Sequence, residues 1–526
     1  MSNGEGVSSL WKNEDWWAVW VGFAIVIVAV ASALMNLGIK APKLHRWVLH
    51  PLDAFYPDAQ AEVEDWPADA NIPPALKGKF GYTRKAKYHD GQRKTSEMIT
   101  WKTRYPMDAN SHRQVLAGLC VSRDNKDATK RLYERSRAGS PNYQALVILL
   151  LALGVPFALA IRGMGEEAGR FLFGFAVVFA LAVLAYFISA HATIKAYGLP
   201  YALWALVLGL LISNTIGTPK WLLGGAKTEL FIKTGLVLLG AEIIFGKIVV
   251  LGSRGLLVAW LVTPCVVIFM YFFGTRILKM TSKTLVIIIA AATSVCGVSA
   301  AIATAAAAKA KKEELTLAVG MTLIFTVLMM IAMPPIIKAI GMDEQVGGAW
   351  MGGTIDATGA VVAAGALLGD NAEVIAAVVK MIQNVLIGVV AFCVAVAWVT
   401  RVDKDPDAPR PSAMEIWYRF PKFIVGFVLA SVVFSFVLIP AFGEGEVGLK
   451  AVENDVLGAI TKTCRGWLFC IAFVAIGLES NFRQLASQLA GGKPIVLYVV
   501  GQSFNLILTV AAAYLAFGGI LFEQVF

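Results

Sequence analysis

The amino-acid sequence predicts an all-α polytopic membrane protein with about 12–13 transmembrane segments, internal repeats and two broken or re-entrant helices. Of its 526 residues, 57% are hydrophobic and 16% are charged, and the mean hydropathy is +0.67. This composition lies outside the range of soluble globular proteins. The apolar residues form runs of roughly 20 residues, the length that an α-helix needs to cross a bilayer.

The first apolar run, residues 16–37, starts with an interfacial cluster of Trp16, Trp17 and Trp20. No basic segment or small-residue cleavage site accompanies this run, so we interpret 1–38 as an N-terminal transmembrane anchor. Residues 39–142 hold no run long enough to cross a bilayer, and their basic clusters predict a polar, cytoplasmic segment. Residues 143–526 are the predicted transporter membrane domain.

The formal net charge of +10 comes from basic residues in loops and at helix ends. This pattern indicates topology through the positive-inside rule, and we expect no nucleic-acid partner. The six cysteines are scattered without metal-ligand spacing, and four of the five histidines lie in 39–142 without a ligand motif. The sequence therefore predicts no metal site and no disulfide framework.

The apolar run at 285–310 is interrupted by small and polar residues at 293–299. A helix break inside a bilayer exposes backbone groups that lipid cannot satisfy, so such breaks line watery cavities or substrate sites. The stretch therefore predicts a break with hydroxyl donors for a small anion, although close helix packing also uses small residues. Its candidate substrate-binding residues are Ser294, Cys296, Gly297 and Ser299.

A second stretch of the same character covers 351–365 and carries one interior acid, Asp356. An unpaired carboxylate there is costly, so Asp356 is expected to be protonated, paired or next to a cation. The basic clusters at 309–312 and 401–410 both favour the cytoplasm, which requires an even number of crossings between them. Three apolar segments lie in that interval, so we expect 346–368 to be re-entrant, unless one cluster lies on the other side. Thr354 and Thr358 are further substrate candidates.

The next helix presents Lys380, Gln383 and Asn384 on one face, at i, i+3 and i+4. Lys380 is a candidate for holding the anion, or for an ion pair with Asp356, and Asn384 is a second candidate ligand. Polar residues also interrupt the last apolar helix, where Gln502 and Asn505 are interpreted as contacts between helices.

Two segments resemble each other, which predicts internal, inverted repeats. Gly240, Glu242 and Phe245 in the first segment match Gly477, Glu479 and Phe482 in the second, and each segment precedes another apolar helix. The alternative is chance similarity between apolar helices.

Several motifs together resemble the bacterial putative sulfate exporter family. They are SVCGVSAAI at 294–302, KAKKEEL at 309–315, VVAAG at 361–365, the Lys380 helix, FPKFIVGF at 420–427 and AIGLE at 475–479. The family looks related to sodium/proton antiporters and bile-acid symporters, which have crossed, broken helices. The resemblance implies a multi-pass protein of the bacterial cytoplasmic (inner) membrane.

The chain departs from the family pattern at two places. Many members carry an Ile-His pair with a following Gln where this chain has Asp356 and Ala360, and many carry an Arg where this chain has Gln383. Losing an imidazole and a guanidinium should weaken attraction for a divalent anion. The substrate or the coupling ion is therefore open.

The sequence thus predicts a secondary active transporter that exports a small inorganic or sulfur-containing anion such as sulfate by alternating access. Asp356 is the predicted coupling residue, and it binds either a proton or Na⁺. The predicted partners are the anion and the lipid bilayer, and a homo-oligomer is left open. An enzyme is not expected, because no nucleophile or HExxH motif accompanies the helices. The alternatives are an anion channel or a transporter of sulfite, a sulfonate, bicarbonate or a carboxylate.

Overall fold

We describe a computed structural model of the chain. It defines residues 9–45, 47, 51–55, 80–81, 87–89, 92–94, 102–103, 142–191, 194, 199–398, 400, 414–443, 445–481 and 492–522. Most of the polar segment 39–142, including two of its four histidines, lies outside these residues.

Helices dominate the described residues. They are α1 Ser9–Lys12, α2 Glu14–Leu34, α3 Tyr143–Gly163, α4 Ala168–Ala190, α5 Tyr201–Thr215, α6 Lys220–Leu223, α7 Thr228–Glu242, α8 Phe245–Phe272, α9 Lys283–Ala291, α10 Gly297–Ala307, α11 Lys312–Ala339, α12 Glu344–Thr354, α13 Thr358–Leu368, α14 Asp370–Ala397, α15 Met414–Arg419, α16 Lys422–Val433, α17 Gly445–Ala451, α18 Lys462–Glu479 and α19 Lys493–Phe517. Wider π-helical turns continue α8 (Phe273–Ile277), α9 (Ala292–Cys296) and α16 (Phe434–Leu438, followed by Ile439–Phe442), and another joins α17 to α18 (Val452–Thr461).

Two compact units make up the chain. One contains residues 41–152 and 183–204, with a short 3-10 helix (Pro51–Phe55) and two small antiparallel ladders. The ladders pair β1 Phe80–Gly81 with β4 Lys102–Thr103, and β2 Lys87–His89 with β3 Gln92–Lys94. The other unit contains residues 1–40, 153–182 and 205–526. All features discussed below belong to this second unit.

Ten helices among the described residues are long and apolar enough to cross a membrane. This confirms the predicted all-α polytopic fold. The predicted number of about 12–13 was higher because it also counted short helices. One of these, α5, is apolar but has only 15 residues.

The second Gly-rich stretch is a re-entrant hairpin, as the charge pattern predicted. Helices α12 and α13 are joined at residues 355–357, and their outer ends come back together: a methyl group built on Gly369 would lie 2.5 Å from a carboxylate oxygen of Glu344. The Lys338 ammonium at the end of α11 also donates to the Leu367 carbonyl, at 2.8 Å. Both ends of this hairpin therefore lie on one side of the bundle, which we call the Glu344 face.

The first broken stretch is also a hairpin, formed by α9 and α10. Glu314 accepts hydrogen bonds from the hydroxyls of Ser282 and Thr284, just before and within α9, and from the Lys311 backbone after α10. A straight helix of 25 residues would be about 37 Å long and would hold these groups far apart. Although long enough to span, Lys283–Ala307 therefore returns to its starting side, which we call the Lys311 face.

The two hairpins enter from opposite faces. Helix α11 has 28 residues, enough to cross from the Lys311 face to the Glu344 face. Helix α14 crosses back, since Trp398 beyond its end packs with Ile287 and Ala308 at the outer ends of the first hairpin. The interval between the two basic clusters therefore has two crossings and one re-entrant hairpin, as predicted.

The helices with similar sequences run antiparallel, as an inverted repeat requires. Glu242 at the end of α7 pairs with Arg465 at the start of α18, with the Arg465 Nε and Glu242 Oε1 atoms 2.9 Å apart. In the same way, Lys493 at the start of α19 donates to the Lys279 carbonyl beyond the end of α8. The pair α7–α8 is thus inverted relative to the pair α18–α19.

Candidate functional site

The tips of the two hairpins touch each other. The first tip turns at Cys296 and Gly297, where Gly297 has φ 25°, and the second turns between Ile355 and Ala357, whose ψ angles are 131° and 137°. The Cys296 Sγ atom lies 3.7 Å from the Thr358 Oγ1 atom. This confirms that the backbone is broken in both predicted stretches. It also shows that the two breaks face each other.

We call the half-helix that leads to a tip incoming and the one that leaves it outgoing. Polar side chains cap the carbonyl groups at the end of the incoming half of the first hairpin, which is α9 with its π-helical turn. Lys380 Nζ donates to Val295 O at 2.6 Å, Gln383 Nε2 to Ser294 O at 2.9 Å, and Asn505 Nδ2 to Thr293 O at 3.3 Å. These donors satisfy carbonyls at the negative end of the helix dipole.

The second hairpin is capped in the same way. Gln383 Nε2 also donates to Gly353 O at 3.0 Å, and Gln502 Nε2 donates to Thr354 O at 2.9 Å. Gln383 therefore ties both incoming half-helices together.

The outgoing half-helices begin at the same tips, and their N-termini carry no side-chain cap. Cys296 precedes α10 and Ala357 precedes α13, and neither side chain accepts a hydrogen bond from the first turn. Because the caps are missing, the first N–H groups of each helix are free at the tip. Each helix has 11 residues and also presents the positive end of its dipole there. Such an end attracts anions.

A cavity of about 330 Å³ reaches these N-termini from the side of the Lys311 face. At its inner end it is lined by Cys296, Ser299, Thr358 and Asn384. Asn384 is 2% exposed, its Nδ2 donates to Thr358 Oγ1 at 3.0 Å, and its Oδ1 has no hydrogen-bond partner. An unsatisfied buried amide at the wall of a cavity indicates that a ligand or water completes it.

Charged residues surround the outer part of the cavity. They are Asp15, Glu229, Lys233 and Arg419. Lys233 Nζ lies 2.8 Å from Glu14 Oε1 and 3.0 Å from Asp15 Oδ1. The cavity mouth therefore carries both signs of charge, while its inner end presents helix N-termini.

Asp356 lies in the second tip and is 1% exposed. Its Oδ2 atom accepts hydrogen bonds from Thr322 Oγ1, at 2.6 Å, and from the Tyr498 hydroxyl, whereas Oδ1 has no partner. A methyl group built on Gly297 would lie 3.5 Å from the Asp356 Cβ atom, so the acid adjoins the first tip.

The predicted substrate residues divide into two sets. Cys296, Ser299, Thr358 and Asn384 line the cavity, with Gly297 at the tip beside them. The hydroxyls of Ser294 and Thr354 donate within their own helices, to Ala290 O and Trp350 O, both at 2.6 Å.

Lys380 is likewise not among the residues that line the cavity. Its ammonium is bound to Val295 O and to Gln383 Oε1, the latter at 2.7 Å, and among the described residues it forms no ion pair with Asp356. Three predicted donors are thus engaged within the protein. Ser294 and Thr354 bond within the ends of their own half-helices, and Lys380 of α14 caps the end at Val295.

Sequence reasoning missed Thr322 and Tyr498, and it treated Gln502 only as a contact between helices. Thr322 and Thr326 stand at i and i+4 in an apolar helix, a spacing that could have pointed to a polar face on α11. No comparable pattern marks Tyr498.

The fold and the site define a polytopic α-helical membrane protein built around two opposed re-entrant hairpins. The chain belongs to the family described as conserved hypothetical protein 698, whose model matches residues 173–498. A UPF0324 membrane protein of Rhodopirellula baltica is 46% identical over 97% of this chain and 91% of its own length. A UPF0324 membrane protein of Nitratidesulfovibrio vulgaris is 42% identical over 97% of this chain and 95% of its own length. Another, from Nitrosomonas europaea, is 30% identical over 71% of this chain and 84% of its own length. No solved structure matches the chain.

Proposed function

We propose that the protein is a secondary active transporter that exports a small inorganic or sulfur-containing anion such as sulfate by alternating access. The main support is that the uncapped N-termini of α10 and α13 meet at an interior cavity. Helix termini at discontinuous segments near the membrane midplane are where secondary transporters bind ions and substrates. The export direction and the sulfur chemistry come from the family resemblance.

The anion binds to the N–H groups at the starts of α10 and α13. Ser299 and Thr358 supply hydroxyl donors at the inner end of the cavity. Asn384 supplies N–H donors when its amide is turned so that Oδ1 accepts from Thr358. No buried cation is required, since two dipole ends and their N–H groups provide the positive potential. This suits a chain in which Lys380 is engaged with Val295 and Gln383.

Ion pairs on the side opposite the cavity support alternating access over a continuous pore. The cavity reaches the tips from the side of the Lys311 face. Near the Glu344 face, Arg465 bridges Glu242 of α7 and Glu373 of α14, with 2.5 Å between Arg465 Nη1 and Glu373 Oε1. Opening that side requires α14 to part from α18, while α7 and α18 can stay paired.

Counterflow in proteoliposomes tests the proposal. Vesicles loaded with unlabelled sulfate, sulfite, a sulfonate, bicarbonate or a carboxylate are diluted into labelled anion. Transient, saturable accumulation of one labelled anion is expected. A channel would equilibrate the label without counterflow, and no counterflow with any member of the panel would reject this function and substrate class.

A further inference from the structure

The space between α11, α19 and the second hairpin tip contains three buried oxygen atoms without hydrogen-bond partners. They are Asp356 Oδ1, Thr326 Oγ1 and Gln502 Oε1, on residues that are 1%, 4% and 5% exposed. Nearly all buried polar groups in proteins are hydrogen-bonded, so a group of three unsatisfied oxygens requires an explanation.

The contacts of α11 place the three residues along one face of that helix. Thr322, Thr326 and Met329 occupy i, i+4 and i+7, which is one face of the helix. Thr322 bonds to Asp356 at one end of this face, and Gln502 Nε2 lies 2.8 Å from Met329 Sδ at the other. Thr326 therefore lies between Asp356 and Gln502.

The amide orientation of Gln502 is fixed by its partners. Its nitrogen faces the Thr354 carbonyl, which can only accept a hydrogen bond. The oxygen of this amide must therefore be the atom without a partner, whereas the Asn384 amide, which faces a hydroxyl, has no such constraint.

We propose that Asp356, Thr326 and Gln502 bind a sodium ion at the second hairpin tip. One carboxylate and two neutral oxygens balance a single positive charge, and hard cations prefer oxygen ligands. A proton on Asp356 is the alternative, since the carboxyl group can donate to the Thr326 hydroxyl and that hydroxyl can donate to Gln502 Oε1. The test below separates Na⁺ from a proton. The described residues contain no group of three His, Cys, Asp or Glu side chains that could hold a multivalent metal.

This inference rests on the transport function proposed above, because it identifies the coupling ion of the same pair of tips. It commits to Na⁺ as that ion and adds Thr326 and Gln502 to Asp356 as ligands.

The test is the thermal unfolding of the purified full-length protein without substrate anion. NaCl, KCl and choline chloride are compared at equal ionic strength. Na⁺ should raise the unfolding midpoint in a saturable manner, because a ligand that binds only the folded state stabilises it. Equal midpoints in the three salts, an equal effect of K⁺, or a midpoint that follows pH but not Na⁺ would each overturn the proposal.

Two threonines of α11 give a matched pair of variants. Thr326→Val should raise the half-saturating Na⁺ concentration by about tenfold or more. Thr316→Val should leave it unchanged, since Thr316 is exposed and bonds to Lys312 O at 2.9 Å. If both variants had the same half-saturating Na⁺ concentration, Thr326 would not be a ligand, and the proposal would be contradicted.

A binding measurement on the wild-type protein keeps the test decisive if Thr326→Val does not fold. Radioactive Na⁺ should bind and be displaced by unlabelled Na⁺ but not by K⁺; absence of such binding would reject the site. Because no anion or gradient is present, a protein that binds Na⁺ yet shows no counterflow would contradict the transport proposal and not the sodium site.

Discussion

Lys380 shows how a buried basic side chain can serve structure at the meeting point of two helical hairpins. Its ammonium caps the Val295 carbonyl at the first tip and holds the Gln383 side chain that joins both hairpins. A cation is well placed there, because unsatisfied carbonyls form the negative end of a helix.

We expect Lys380→Met to lower the free energy of unfolding by about 1–3 kcal/mol, because Val295 O and Gln383 Oε1 lose a donor. The double variant with Asp356→Asn should be no more stable, because Lys380 and Asp356 form no ion pair. Thermal unfolding midpoints in detergent measure both effects. Recovery of stability in the double variant would show that the two residues do form a pair.

Asp356→Asn separates coupling from anion binding. The carboxamide keeps the shape of the acid and can still accept hydrogen bonds from Thr322 and Tyr498, but it has no charge to balance a cation. Anion exchange should persist, while dependence on an imposed sodium or pH gradient should be lost. Intact gradient-driven transport in a well-folded Asp356→Asn protein would exclude the coupling role.

At the residue scale, the sequence could predict where a polar side chain lies but not which group it bonds to. The interior position of Asp356 and the polar face of α14 could be read from spacing. The partner of Lys380 could not, because a face of a helix does not reveal which neighbouring backbone groups are unsatisfied. The same limit hid the capping role of Gln502 and Asn505.

At the scale of single elements, the first hairpin depends on the conformation of Gly297. Its φ of 25° is unfavourable for residues with a side chain, and an added methyl group would lie 3.3 Å from Thr322 Oγ1. Valine there would displace the tip that meets Asp356.

Gly297→Val should abolish counterflow while the protein still folds, as judged by its elution in size-exclusion chromatography and a measurable unfolding transition. Gly252→Val is the matched control, since a methyl group at Gly252 meets nothing within 4 Å and its φ is not positive. Normal saturable uptake by Gly297→Val would count against a substrate site at the first tip.

The two hairpins differ in how far sequence could predict them. Counting crossings between basic clusters identified α12–α13 as re-entrant. The return of α9–α10 was not predicted, because 25 apolar residues are long enough to span. It is established by Glu314, whose hydrogen bonds join both ends of the hairpin.

At the scale of the whole molecule, the helix directions restrict the sidedness of the chain. Helix α2 begins near the cavity mouth, where Asp15 pairs with Lys233, and its 21 residues carry the chain towards the Glu344 face. Lys40, just after α2, and the basic cluster at 309–312 therefore lie on opposite faces.

Labelling with a membrane-impermeant thiol reagent determines the orientation. Lys40→Cys and Lys311→Cys, each in a chain without its native cysteines, replace exposed lysines on opposite faces. In intact cells one of the two should be labelled and the other only after permeabilisation. Labelling of both from the same side would contradict the assigned helix directions.

Protection of the cavity by substrate tests the central claim most directly. Ser299→Cys, as the sole cysteine, places a thiol among the inner residues of the cavity, beside the start of α10. An impermeant thiol reagent should label it from the Lys311 face, and the anion identified by counterflow should slow this labelling in a saturable way. A labelling rate that the transported anion leaves unchanged would contradict an anion site at the meeting point of the two hairpin tips.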